Sequence, residues 1–242
     1  MKRSTGRNKN GFLTVLILGI FTFVLCMMFI FLIIDGGKKS KKYNVNLNTE
    51  SYYAVCIGTY DTLSKASKEA DNIIIRGGAG YIVENKGYNV LTSIYTNMAD
   101  AQSVVEKLSN SQISSTVYKI KIPTINISGS FDYSDYLNGL LDIIDLLCDL
   151  YYKIDGESLM LFSATNEIDK LIKKLDMLLS LFGKNSENNM KDIRIKAEFK
   201  VVNNYLSSLT LCETADTLSL KIKQVQFKVL YGILNLLEEI TD

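Results

Sequence analysis

The sequence predicts an α+β protein with an N-terminal membrane-spanning helix, a small βαββαβ domain and a C-terminal all-α region. Three observations carry this: an uncharged apolar run near the start, a 35-residue internal duplication that alternates strand-like and helix-like patterns, and a long tail of apolar residues three and four apart. The implied boundaries are a basic head at 1–11, a transmembrane helix at 12–34, a linker at 35–50, the mixed domain at 51–122 and a helical bundle or helical hairpin at 131–242.

The run from Phe12 to Ile34 has no charged residue and, as a helix, is long enough to cross a hydrocarbon core about 30 Å thick. It ends Phe-Ile-Phe-Leu-Ile-Ile-Asp, without the small residues of a cleavage site, so an uncleaved anchor is expected. Lys2, Arg3, Arg7 and Lys9 precede the run, and Lys38, Lys39, Lys41 and Lys42 follow it, which leaves charge alone near a tie on orientation. The short basic head before a first apolar helix places the N-terminus in the cytoplasm and the rest outside. The segment 35–50 then reads as a tether, about 50 Å long at full extension.

The duplication aligns Tyr53 with Tyr88, Val55 with Val90, Tyr60 with Tyr95, Ala66 with Ala101 and Ile73 with Leu108. Each copy opens on a strand rich in β-branched and aromatic residues, Tyr53 to Ile57 and Tyr88 to Thr92. A helix follows in each. In the first, Asp61 or Thr62 is the cap, Leu63, Ala66, Ala70 and Ile73 form the apolar face, and Gly77-Gly78 ends it. In the second, Asn97 caps, Asp100 sits in the first turn, and Met98, Ala101, Val105 and Leu108 form the face. Further strands at Gly80 to Glu84 and Ser115 to Ile120 complete βαββαβ, the split ferredoxin-like pattern of a four-stranded antiparallel sheet backed by two helices. Pro123 closes the unit, and Thr124 to Ser130 reads as a polar connector with two isoleucines.

Four amphipathic stripes follow: Leu137, Leu140, Ile144, Leu147 and Tyr151; Leu161, Ile168, Leu171, Leu175, Leu178 and Phe182; Ile195, Phe199, Val202, Leu206 and Leu209; and Leu218, Ile222, Val225, Val229, Leu236 and Ile240. Short connections favour antiparallel neighbours. The loop at Gly183 to Asn189 argues against a single coiled-coil rod.

Formal net charge is +1, which gives no electrostatic support for nucleic-acid binding. The chain has no histidine, so Ser-His and Cys-His nucleophiles and histidine zinc sites are excluded. No carboxylate pair stands in a recognisable catalytic site, and the chain is read as a non-enzyme without a cofactor or metal. Cys26, Cys56, Cys148 and Cys212 are far apart and read as small apolar thiols.

The stretch Tyr53-Ala54-Val55-Cys56-Ile57-Gly58-Thr59-Tyr60 resembles the opening strand and turn of the SPOR (sporulation-related repeat) family, and Tyr88-Asn89-Val90-Leu91-Thr92-Ser93-Ile94-Tyr95 resembles its later strand. Gly77-Gly78-Ala79-Gly80-Tyr81 and the Asp100-Ala101 helix start also fit. The resemblance covers about 70 residues. It implies a bitopic, membrane-anchored cell-envelope protein that binds peptidoglycan glycan strands lacking stem peptides, in cell division or sporulation, through the open face of the sheet. The implied glycan-binding residues are Tyr53, Cys56, Tyr81, Tyr88, Asn89 and Leu91.

Three positions depart from the family's chemistry. Cys56 stands where the family has glutamine, and Asn89 and Leu91 where it has arginines. Strand alternation turns Val55, Ile57, Val90 and Thr92 towards the backing helices and Ala54, Cys56, Asn89 and Leu91 towards the open side. A face this apolar is expected to be covered in part by C-terminal helices or by a partner. The alternative function is therefore an envelope scaffold that binds a protein partner through its helical region and apolar sheet face.

Overall fold

Helix α1, Leu63–Ile75, begins where the Thr62 side chain accepts a hydrogen bond from the Lys65 amide. It ends where glycine permits a left-handed turn: Gly77 has φ +84°, its amide donates to the Ile74 carbonyl, and the Gly78 amide donates to the Ile73 carbonyl. These two bonds form a Schellman cap. Asp61, the other candidate cap, instead pairs with Lys65. Helix α2, Met98–Asn110, is capped by Asn97, which accepts from the Asp100 amide at 2.9 Å. The computed structural model that shows these elements describes residues 41–129, 131–186 and 189–241. The expected anchor at 12–34 lies outside the described residues, and among those described no helix is long and apolar enough to cross a membrane.

The two helices alternate with four strands, β2 (Ser51–Tyr60), β3 (Tyr81–Glu84), β4 (Tyr88–Tyr95) and β5 (Thr116–Lys121), in the order βαββαβ. The sheet order is β3-β4-β2-β5, all antiparallel. The central ladder reveals how the duplication is used. Tyr53 lies opposite Tyr95 and Tyr60 opposite Tyr88, so each copy's first strand pairs head to tail with the other copy's, about a local two-fold. Each copy's second strand then flanks the first strand of the other copy.

The C-terminal stripes form α3 (Ser134–Asp155), α4 (Leu161–Asn185), α5 (Met190–Leu209) and α6 (Ala215–Ile240). Each packs on the next, and α6 returns to α3, which closes a four-helix bundle. Leu137, Ile144, Ile168, Leu175, Phe199, Leu206, Ile222 and Ile233 are fully buried inside it. Gly139 lets α4 approach α3, since a Cβ there would lie 2.6 Å from Leu178 Cδ1.

Two segments differ from the sequence-based expectation. The tether contains β1 (Lys41–Val45), and the polar connector contains β6 (Ile125–Gly129); the two strands pair. Val45, Ile125 and Ile127 are buried, because Tyr43, Val45 and Leu47, like Ile125 and Ile127, recur at the two-residue period of a one-sided strand. Beyond β1 the chain stays fastened to α3: the Asn48 amide donates to Asn138 Oδ1 at 2.8 Å, and Asn138 Nδ2 donates to the Asn46 carbonyl at 2.9 Å. From Lys42 onward the described residues form one compact unit, with sheet and bundle sharing one continuous apolar core.

Candidate functional site

The candidate surface is the sheet face away from α1 and α2. Strand alternation places Tyr52, Ala54 and Cys56 of β2 on it, and the ladder adds their partners Leu91 and Ile94 of β4 and Tyr81 and Val83 of β3. Register shifts on either side of Cys56 keep Leu91 and Ile94 on the same face although they are three residues apart.

That face is covered by α3 and α6. Tyr52 Oη donates to the Leu141 carbonyl at 3.2 Å and to Asp145 at 2.9 Å. The Ile94 carbonyl accepts from Tyr151 Oη at 3.0 Å and from the Cys148 thiol at 3.5 Å. Over β3, the Tyr81 ring stacks on Phe227 at 4.9 Å and 7° and on Tyr231 at 5.3 Å and 22°. Phe227 and Tyr231 are one turn apart on α6, so a single helix face presents both rings. The Lys223 ammonium, also from α6, donates to the Gly77 carbonyl at 3.1 Å and pairs with Asp155 of α3 at 2.7 Å. It thereby joins the α1 cap, α3 and α6 at one point.

Burial at this contact shifts the ionisable groups in one direction. Desolvation raises the Tyr52, Tyr151 and Cys148 pKa values above their ordinary ranges, and all three groups are neutral hydrogen-bond donors or acceptors here. Desolvation also raises Cys56 and the Asp145 carboxyl, the latter against the lowering effect of the Tyr52 hydrogen bond.

The six residues implied by the resemblance do not meet on one open surface. Cys56 is 4% exposed and Leu91 fully buried. Tyr81 is half-buried under α6. Asn89 is 6% exposed and spent between the β3–β4 turn and β2: its Nδ2 donates to the Asn85 carbonyl at 3.0 Å and its Oδ1 accepts from Thr59 Oγ1 of β2 at 2.7 Å. Tyr53 and Tyr88 belong to the opposite face, where Tyr88 packs on the α1 cluster of Ala66, Ala70, Ile73 and Val90. The Tyr53 ring lies under the Lys119 ammonium at 5.8 Å. Of the two coverings that the apolar face allows, the C-terminal helices supply the one present.

Sequence reasoning missed Tyr52, Phe227 and Tyr231, the side chains that hold sheet and bundle together. The signal was present: Tyr52 precedes Ala54 and Cys56 at period two, and Phe227 and Tyr231 are spaced i, i+4 beside the buried stripe of α6. The sequence carries no marker of which apolar faces meet. No protein-family model, curated protein or solved structure matches this chain.

Proposed function

We propose that this chain is a non-enzymatic, membrane-anchored scaffold of the cell envelope, held outside the cytoplasm by the 12–34 helix, whose SPOR-like unit serves as the floor for its own helical bundle. The observation that carries the reading is the covered face: Ala54, Cys56 and Leu91 are buried and the Tyr81 ring is stacked on α6. A glycan strand needs aromatic faces and hydrogen-bonding groups open to it. Here the rings are taken, and Leu91 and Ala54 have no polar side-chain atom to offer.

Partner contact then falls to the outward surface of the bundle. Met190, Ile193 and Val201 are 66%, 51% and 40% exposed on α5, and Met177 and Leu181 are 58% and 44% exposed on α4. Crosslinking of the full chain in cells tests this: a discrete protein adduct, with no pelleting of the purified chain on amidase-treated sacculi above a control protein, is expected. Pelleting as strong as that of a glycan-binding control, with no protein adduct, contradicts the scaffold.

A second reading, glycan binding at division or sporulation sites, draws on the ordered SPOR-like motifs and the βαββαβ arrangement. It requires α3 and α6 to leave the sheet. That would return Leu91, Ile94 and Tyr52 to water, at about 1.5–3 kcal/mol for each large side chain.

A further inference from the structure

The loop between α3 and α4 and the loop between α5 and α6 lie at the same end of the bundle, because consecutive helices reverse direction. Two contacts fix the arrangement. Ser219 and Lys223, early in α6, both bond to Asp155, the last residue of α3, and Asn203 of α5 donates to Asp176 of α4 at 2.5 Å. Each loop is also held by its own backbone. The Ser158 and Leu159 amides donate to the Lys153 carbonyl at 2.9 and 3.2 Å, and the Cys212 amide donates to the Leu209 carbonyl at 3.2 Å, just before the Thr214–Thr217 capping box of α6. Leu159 and Cys212 pack against the common core.

These ordered loops leave three large apolar side chains in water. Met160, Phe162 and Leu211 are 82%, 78% and 76% exposed, against 40–66% for the exposed apolar side chains elsewhere on the bundle. A single exposed apolar side chain is ordinary, but three gathered at one end mark a contact surface. The charge around them has one sign. No lysine or arginine occurs between 154 and 169 or between 201 and 220. Glu157, Glu213 and Asp216 are exposed there and make no ion pair among the described residues. Asp216 faces the positive end of the α6 dipole, whereas Glu157 and Glu213 stand outside any helix. The nearest cations are largely spent: Lys153, Lys170 and Lys223 pair with Asp149, Glu167 and Asp155, and Lys221, which acts electrostatically on Cys212, offsets one carboxylate of the three.

We infer that this loop end docks a basic amphipathic segment of another protein, with Met160, Phe162 and Leu211 as the apolar centre of the contact and Glu157, Glu213 and Asp216 as its acidic rim. A centre containing an aromatic ring and methionine inside a polar rim is the composition of a protein interface, and the sign of the rim selects the charge of the partner. A second copy of the same end would set like charges together. An anionic lipid surface would be repelled by the same carboxylates. The inference goes beyond the scaffold reading, since it assigns a surface apart from the outward faces of α4 and α5, and it does not depend on the membrane anchor.

Site-specific photocrosslinking of the full chain in its own cells tests it, with p-benzoylphenylalanine placed in turn at Phe162, at Leu211, at Met190 on the outward face of α5, and at Met98 on α2 as the control. All four positions are exposed, so each chain stays folded. The crosslinked peptide is then sequenced by mass spectrometry, which reads the chemistry of the partner and not merely its presence. The expected result is an adduct through Phe162 and Leu211, absent at Met98, whose attached peptide comes from another protein and combines apolar residues with a net positive charge. Its yield should fall at least about tenfold when Glu157→Lys and Glu213→Lys are combined, as for reversal of a charged rim, with the thermal unfolding of the chain unchanged. No adduct through Phe162 or Leu211, an attached peptide that is acidic or from a second copy of this chain, a lipid adduct, or a yield indifferent to the charge reversal overturns the inference. A protein adduct through Met190 alone overturns it too, while leaving the scaffold reading in place.

Discussion

Leu91 is the position where the SPOR resemblance and the fold make opposite demands. The family pattern has arginine there, on a solvent-facing strand; in this chain Leu91 is fully buried, opposite Tyr81 and Cys56 in the ladder and beneath the bundle. Truncation by Leu91→Ala removes a fully buried side chain between two layers that cannot both collapse onto the gap, a loss of about 2–5 kcal/mol. For a chain of this size each kcal/mol moves the melting temperature by about 2–4 °C, so a fall of about 4–20 °C is expected. Leu91→Arg adds an unpaired buried guanidinium and should cost at least as much. Thermal unfolding of the full chain by circular dichroism reads both, with Leu211→Ala, at a side chain 76% exposed, as the control that stays within about 0.5 kcal/mol of the parent. A Leu91→Arg chain as stable as that control would refute the covered face.

Other perturbations probe separate joints of the same structure. Leu175→Asp and Leu206→Asp place carboxylates at fully buried bundle positions and should each cost several kcal/mol in urea unfolding, while substitutions at the exposed Lys173 and Asn204 stay near neutral. Lys223→Met strips the Gly77 carbonyl and Asp155 of a shared donor and should cost about 1–3 kcal/mol, with faster amide exchange at Gly77 and Gly78 as its local signature. Glu198 is half-buried beside Gly232, its Oε1 has no hydrogen-bond partner, and desolvation raises its pKa. Its folded pKa therefore lies above the unfolded one, so its stabilising contribution is complete below the ordinary glutamate range and is lost as pH rises through the folded value. Glu198→Gln should flatten that decline and leave the neutral-pH chain more stable than the parent; a steeper decline in the variant would contradict the assignment.

Local periodicity made most elements legible. The caps at Thr62 and Asn97, the glycine stop at Gly77 and the stripes of all four long helices follow from patterns within one turn or one strand. Strands β1 and β6 were obscured because the polar halves of their alternation, Asn44 and Asn46 on one and Asn126 and Ser128 on the other, give the composition of a linker. Their pairing spans about 80 residues, a separation no local pattern reports. The candidate site was legible only as two facts about one face: that it was apolar, and that something would cover it. The covering depends on Phe227 and Tyr231, more than 130 residues from β3, and on register shifts around Cys56 that simple alternation does not contain. Tyr53 and Tyr88 then fall on the opposite face from Tyr81, although the family resemblance implies that all three share one glycan-binding face.

The covered face can be read directly through the native cysteines. Cys56 lies on it at 4% exposure, Cys148 faces it from α3 at 7%, and Cys212, half-buried beyond α5, provides an internal reference. Alkylation of the native full chain, followed by peptide-resolved mass spectrometry, should modify Cys212 first and leave Cys56 and Cys148 protected until the chain unfolds. Modification of Cys56 as fast as Cys212, under conditions where Cys148 and the bundle remain intact, would show an open sheet and contradict the account.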